Sequence, residues 1–174
     1  MKHNLKKGGK MALLGENYFP PVSKSHMSFR RGKALEKIGS AVLQYRPSVV
    51  YVCPTKGVNI NLIPLLMMNN IKLRIVMPRK HFFITLTDEE KIILDAACDY
   101  ADKIIILDQG KADPLKFAED WYLASERAVE SSDWVLVAHN TDEENESFNN
   151  LMVKFDGNPK PVLAVDFGVE EQYL

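Results

Sequence analysis

Cysteine is scarce: Cys53 and Cys98 are the only two in 174 residues. Both sit in apolar segments without a CxxC partner, which argues against a disulfide framework or a thiolate zinc site and suits a reducing cytoplasm. Long apolar runs are also missing, and none approaches the ~18 residues of a membrane helix, so no membrane partner is expected. Neither sign of charge dominates. With 22 basic and 23 acidic side chains the net charge is -1, so any affinity for nucleic acid or an anionic bilayer has to be local. The glycine-rich phosphate motifs GxxxxGK-S/T and GxGxxG do not occur. No motif calls for a cofactor or a metal.

What is present fits one globular unit. A 46% hydrophobic content over this length leaves little chain for a second core. Residues 1–10, MKHNLKKGGK, read as a flexible basic leader, better explained as a solvated tail than as a phosphate contact. Residues 11–174 read as a single domain. Neither a solenoid-period repeat nor a low-complexity linker divides them.

Short apolar runs alternate with longer stretches of helical spacing, the pattern of stacked βαβ units. The strands are expected at Met11 to Leu14, Ser48 to Cys53, Ile71 to Met77 (ended by Pro78), Lys103 to Leu107, Trp134 to Ala138 and Pro161 to Val165. Helices are expected over Ser28 to Tyr45, Val58 to Asn69, Leu115 to Ser131 and two further stretches. The second should begin late or kink at Pro64. Capping boxes mark two starts: Thr87 with Glu90, for a helix to about Ala101, and Thr141 with Glu144, for one to about Phe155. The fold expected is α/β, a Rossmann-like three-layer sandwich with a mainly parallel sheet of five or six strands.

In such a sheet ligands bind beyond the carboxyl ends of the strands. Those ends read Gly15-Glu16-Asn17, Pro54-Thr55-Lys56-Gly57-Val58-Asn59, Pro78-Arg79-Lys80-His81, Asp108-Gln109-Gly110 and His139-Asn140-Thr141. Lys56 and Gly57 offer a cationic head and a closely approachable backbone for phosphate, or else a plain tight turn with an exposed lysine. Arg79, Lys80 and His81 can grip an anion or form a solvated loop. Asn140, Thr141 and Glu144 can bind a ribose or a base edge, though Thr141 can equally serve as a helix cap. Arg127 and Asp133 suit structural ion pairs. Trp121, Tyr122 and Trp134 suit packing better than base stacking. The acidic run Asp142, Glu143, Glu144 and Glu146 suits a helix start better than a hard cation.

Taken in order, these segments resemble the SLOG superfamily of Rossmann-like domains, especially its YpsA-like branch, with relatives in the DprA and LOG groups. The likeness spans about Met11 to Phe167. Cys53-Pro54-Thr55-Lys56-Gly57-Val58-Asn59 looks like the family's glycine-x-x-x-glycine-valine-aspartate turn, with Cys53 in place of the first glycine and Asn59 in place of the aspartate. Ile71 to Pro78 is similar to the strand that ends in proline before the ligand loop. Ala101-Asp102 and Ser132-Asp133, each followed by an apolar strand, also match. The chain departs where the family carries an arginine-asparagine pair, here Ala124-Ser125, and a glycine-glycine-threonine turn, here Glu144 to Asn149.

The resemblance implies binding of a nucleotide or nucleotide-derived small ligand, in a sensor or regulatory role. The ligand-binding residues expected are Gly15, Glu16, Asn17, Thr55, Lys56, Gly57, Asn59, Arg79, Asn140 and Thr141, with Arg79 closing one side of the site and Asn140 or Thr141 the other. An alternative is an N-glycosidase or nucleoside deoxyribosyltransferase, for which Glu16 and Glu144 are the candidate catalytic carboxylates. A further alternative is DprA-like DNA binding or scaffolding through Arg30, Arg31, Lys33 and Lys37. A homo-oligomer is expected, in the cytoplasm.

Overall fold

The computed structural model describes residues 5, 7–19, 25–80, 82, 86–108, 110 and 113–168, apart from the side chains of 25–29. Alternation along the central strands decides the layering, because successive side chains of a strand point to opposite faces. In β1 (Lys10–Gly15) Met11 and Leu13 join one core while Ala12 and Leu14 join another. In β2 (Val49–Val52) Val50 and Val52 go with the first set, Val49 and Tyr51 with the second. Strands buried on both sides need cover on both.

The other strands are β3 (Lys72–Arg79), β4 (Lys103–Asp108), β5 (Trp134–His139) and β6 (Val162–Asp166), and the six form one sheet in the order β4-β3-β2-β1-β5-β6. All five pairings are parallel. The chain steps outward from β1 to β4, returns across the sheet to β5 on the far side of β1, and continues to β6. Right-handed crossovers in opposite directions place their helices on opposite faces. Helices α1 (Ser25–Tyr45), α2 (Val58–Met68) and α3 (Asp88–Tyr100) accordingly cover one face, through Ile38, Val42, Leu62, Leu66 and Leu94. Helices α4 (Phe117–Glu130) and α5 (Glu146–Lys154) cover the other, through Trp121, Ala124, Ala128, Phe148 and Leu151. Each large apolar side chain buried this way contributes about 1.5–3 kcal/mol. Trp121 and Trp134, each 2% exposed, are core residues. Among the described residues no helix is long and apolar enough to cross a membrane.

Four local expectations need correction. Lys10, placed in the leader, opens β1, and its N–H bonds the Asp133 carboxylate at 2.9 Å. Helix α2 starts at Val58 and runs through Pro64 rather than beginning late. Strand β3 continues past Pro78 to Arg79, which pairs with Asp108. The last residue of β2 pairs with Ile75, so the proline ring lies beyond the ladder between these two strands and its missing N–H costs that ladder nothing.

The fourth correction sets two copies of one tetrapeptide against each other. Thr87-Asp88-Glu89-Glu90 forms the expected capping box at the start of α3. Thr141-Asp142-Glu143-Glu144 does not. There the Thr141 hydroxyl and N–H both bond the Asp166 carboxylate at the end of β6. Helix α5 begins later, at Glu146, with the Asn145 side chain as its cap. At the far end of the sheet the Lys160 ammonium donates to the carbonyls of Val129, Glu130 and Ser132 at 2.5–2.9 Å, closing the carboxyl end of α4.

Candidate functional site

The topology reverses between β1 and β5, and at such a switch point the crossovers diverge to opposite faces and leave a crevice at the carboxyl ends. Two glycines let the chain leaving β1 press against the start of α2. Gly57 has φ 94°, and a Cβ there would fall 2.3 Å from the Glu16 carbonyl oxygen. A Cβ on Gly15 would fall 2.5 Å from Val58 Cβ. The contact is then tied by the bond from Val58 N–H to the Glu16 carbonyl at 2.9 Å, while Glu16 N–H holds the same turn to β5 through the Ala138 carbonyl at 3.0 Å. Asn59 completes it, accepting from Gly15 N–H and donating to the Cys53 carbonyl, both at 2.9 Å.

With its backbone held this way, Glu16 lies only 3% exposed at the exit of β1. Its Oε1 accepts the Asn140 N–H at 2.9 Å. Its Oε2 has a 3.5 Å contact from Asn145 Nδ2, whose shorter bond, 2.9 Å, goes to Asn17 Oδ1. One carboxylate oxygen is therefore well satisfied and the other poorly, where an unsatisfied buried acceptor is costly. Burial pushes the Glu16 carboxyl above the ordinary carboxylate range, against the pull of the Asn140 and Asn145 hydrogen bonds and the nearby His139, while Glu143 pushes the same way as burial.

Glu16 lines a cleft of about 710 Å³ between β5, β6 and α5. One wall is apolar, from Val137, Phe148, Met152, Val162 and Ala164. The rim is polar and acidic, with His139, Asn140, Thr141, Asp142, Glu143, Glu144 and Asn149. The loop is braced by Asn140 Oδ1 accepting the Asp142 N–H at 2.9 Å and by Asp166, which binds Thr141 and the Gly168 N–H. Burial pulls the Asp166 carboxyl upward, but the bonds from Thr141 and Gly168 outweigh it and leave it below the usual carboxylate range. Among the described residues no three His, Cys, Asp or Glu side chains come together to hold a metal.

A second cleft, of about 570 Å³, opens on the α1 to α3 side and includes Asn17, Tyr18, Phe19, Arg31, Lys56 and Glu90. Arg31 lies over the Phe19 ring and donates to Asn61 Oδ1 at 2.5 Å. Lys33 stands 3.8 Å from Glu36.

The expected site residues therefore divide. Glu16, Asn140, Thr141 and Glu144 meet in the first cleft, while Asn17, Lys56 and Gly57 line the second. Gly15, Gly57 and Asn59 join β1 to α2, and Thr55 is buried with no partner for its hydroxyl among the described residues. Arg79 lines neither cleft; its guanidinium is held by Asp120 at 2.9 Å and Asp108 at 3.2 Å. His81 and Gln109 lie outside the described residues. Sequence reasoning missed Asn145 and Asp166. The strand-end rule, extended to β6, reaches Asp166. No local pattern marks Asn145.

No family model matches the sequence, and no curated protein matches it. Among solved structures the chain is similar to the X-ray structure of TM1055, a Northeast Structural Genomics Consortium target, with TM-score 0.52 and 16% identity over 88% of this chain and 71% of that one. It is also similar to the X-ray structure of DNA processing protein A (DprA) from Streptococcus pneumoniae, with TM-score 0.45 and 15% identity over 90% of this chain and 58% of that one. At 16% identity the likeness to TM1055 is one of fold, and with the six-stranded parallel sheet it makes this chain a Rossmann-like α/β protein.

Proposed function

We propose that the chain binds a nucleotide-derived small ligand, and that the nucleoside part lies in the cleft between β5, β6 and α5. The observation that carries this reading is Glu16, a buried carboxylate at the switch point whose Oε2 has, among the described residues, only the 3.5 Å contact from Asn145 and which lines an apolar-walled cleft. A sugar hydroxyl supplies the missing donor, and the apolar wall suits the flat face of a base. Under the same proposal the chain is a member of the SLOG superfamily, a reading supported by the order and spacing of its sequence segments together with this sheet.

The enzymatic alternative uses the same carboxylate. In cleavage of an N-glycosidic bond, Glu16 would stabilise the positive charge that develops on the sugar as the base leaves. The base departs with a proton, and the anomeric carbon takes the hydroxyl of water. Release of free base from a nucleoside panel separates enzyme from sensor.

The binding reading is tested by a thermal-shift screen of nucleosides, nucleotides, cyclic dinucleotides and ADP-ribose on the wild type and on Glu16→Gln. A ligand at a hundred times its Kd stabilises the native state by about 2.7 kcal/mol, so at least one nucleoside-containing compound should raise the wild-type Tm. The shift should be largely lost in Glu16→Gln. Silence across the whole panel at millimolar concentration sinks the reading. A full shift in Glu16→Gln moves the site away from this cleft.

A further inference from the structure

We propose that the cleft selects a positively charged nucleoside-like ligand, one whose heterocycle carries a cation, over its neutral and phosphorylated relatives; this rests on the reading that the cleft binds a nucleoside. Among the described residues the charged groups lining it are mainly acidic. Glu16, Asp142, Glu143 and Glu144 contribute carboxylates, and no lysine or arginine lines the cleft among the described residues. His139 is the one basic side chain among the described residues that line it.

A row of exposed acids alone is an ordinary solvated loop. Here it borders a cleft with an apolar wall and a second, independent feature at its base. Glu16 is 97% buried, by its 3% exposure, and its Oε2 is left with the 3.5 Å contact from an Asn145 amide better engaged by Asn17. A buried carboxylate with an undersatisfied oxygen is stabilised by a cation or a strong donor. Field lines from the rim are focused by the low-dielectric wall toward the same space. Among the described residues a phosphate entering there would meet carboxylates and no lysine or arginine. A heterocycle bearing a delocalised positive charge satisfies the wall through its flat apolar face and the rim through its charge.

The test is calorimetric titration of the full chain with adenosine, 1-methyladenosine (a cation at neutral pH), AMP and phenyltrimethylammonium, at low and high salt. Asp142, Glu143 and Glu144 are exposed, and an exposed pair contributes a factor of about 1.5–5. The expected result is binding of 1-methyladenosine about 3–10-fold tighter than adenosine at low salt, with AMP weakest. That ratio should shrink at high salt and in the double variant Glu143→Gln, Glu144→Gln, whose side chains lie at the surface.

Equal affinities for adenosine and 1-methyladenosine, or tighter binding of AMP, overturn the charge selectivity and leave the nucleoside reading in place. A preference for the methylated base that survives both high salt and the double substitution comes from methyl packing and also overturns it. Binding of phenyltrimethylammonium without any nucleoside overturns the nucleoside reading and upholds selection by charge. No binding by any of the four overturns both.

Discussion

Glu16 is a carboxylate buried at the exit of β1. Burial raises its carboxyl, so the native state holds a proton more tightly than the unfolded chain does. Between the ordinary glutamate range and the raised native value the folded state binds more protons, and stability therefore falls as pH rises through that window and stays lower above it. Glu16→Gln removes the buried charge and keeps an acceptor for the Asn140 N–H. It should unfold at higher denaturant than the wild type at about pH 7.5, by about 0.5–2 kcal/mol, with the gap closing toward about pH 4. A variant less stable than the wild type at neutral pH would mean that the ionised carboxylate stabilises the fold, contrary to this account. Glu16 was legible as a candidate because it follows the first strand. The same reasoning placed Gly15, Gly57 and Asn59 on the ligand; in the fold they bring β1 and α2 into contact, a use of glycine and amide that looks the same in one dimension.

Among the elements, α5 shows what a helix start can contribute to a site. Asn145 caps it by accepting the Phe148 N–H at 3.0 Å, and its amide reaches back to Asn17 and Glu16. Asn145→Ala should cost about 1 kcal/mol for the cap alone. Asn145→Asp retains the capping oxygen but loses the donor and sets a second carboxylate beside Glu16. Urea unfolding should find it close to wild type at low pH and clearly weaker at neutral pH, whereas the alanine variant should show its cap loss at both. Equal losses for the aspartate variant at the two pH values would remove the amide from any role at Glu16. The strands and the start of α3 were readable from local pattern, since period-two burial and a capping box act over a few residues. The start of α5 was not. Thr141 and Thr87 head the same tetrapeptide, but only Thr141 has Asp166 within reach.

On the scale of the whole molecule, the carboxyl rim of the sheet is divided between distinct jobs. Around Arg79 it is structural, because the guanidinium joins β3 to Asp108 of β4 and to Asp120 of α4, a carboxylate that is 3% exposed. The Asp120 hydrogen bond in turn holds the Arg79 guanidinium above its usual value. Arg79→Met strands a buried carboxylate, so the Tm should fall while the affinity of any ligand found in the β5–β6 cleft stays as in the wild type. A lost ligand with an unchanged Tm would return Arg79 to the binding site. Sequence alone determined the α/β class, the parallel sheet and the rim on which to search, because those follow from side-chain periodicity and from the length of the connections. Which rim residues share a cleft was decided only by the return of the chain across β1 to β5. That step brings the 139–145 loop against Glu16, 124 residues from Asn140 in sequence, and directs Arg79 to α4 instead. Hydrogen bonds and charges act through space, and the partners they choose were not adjacent until the sheet had formed.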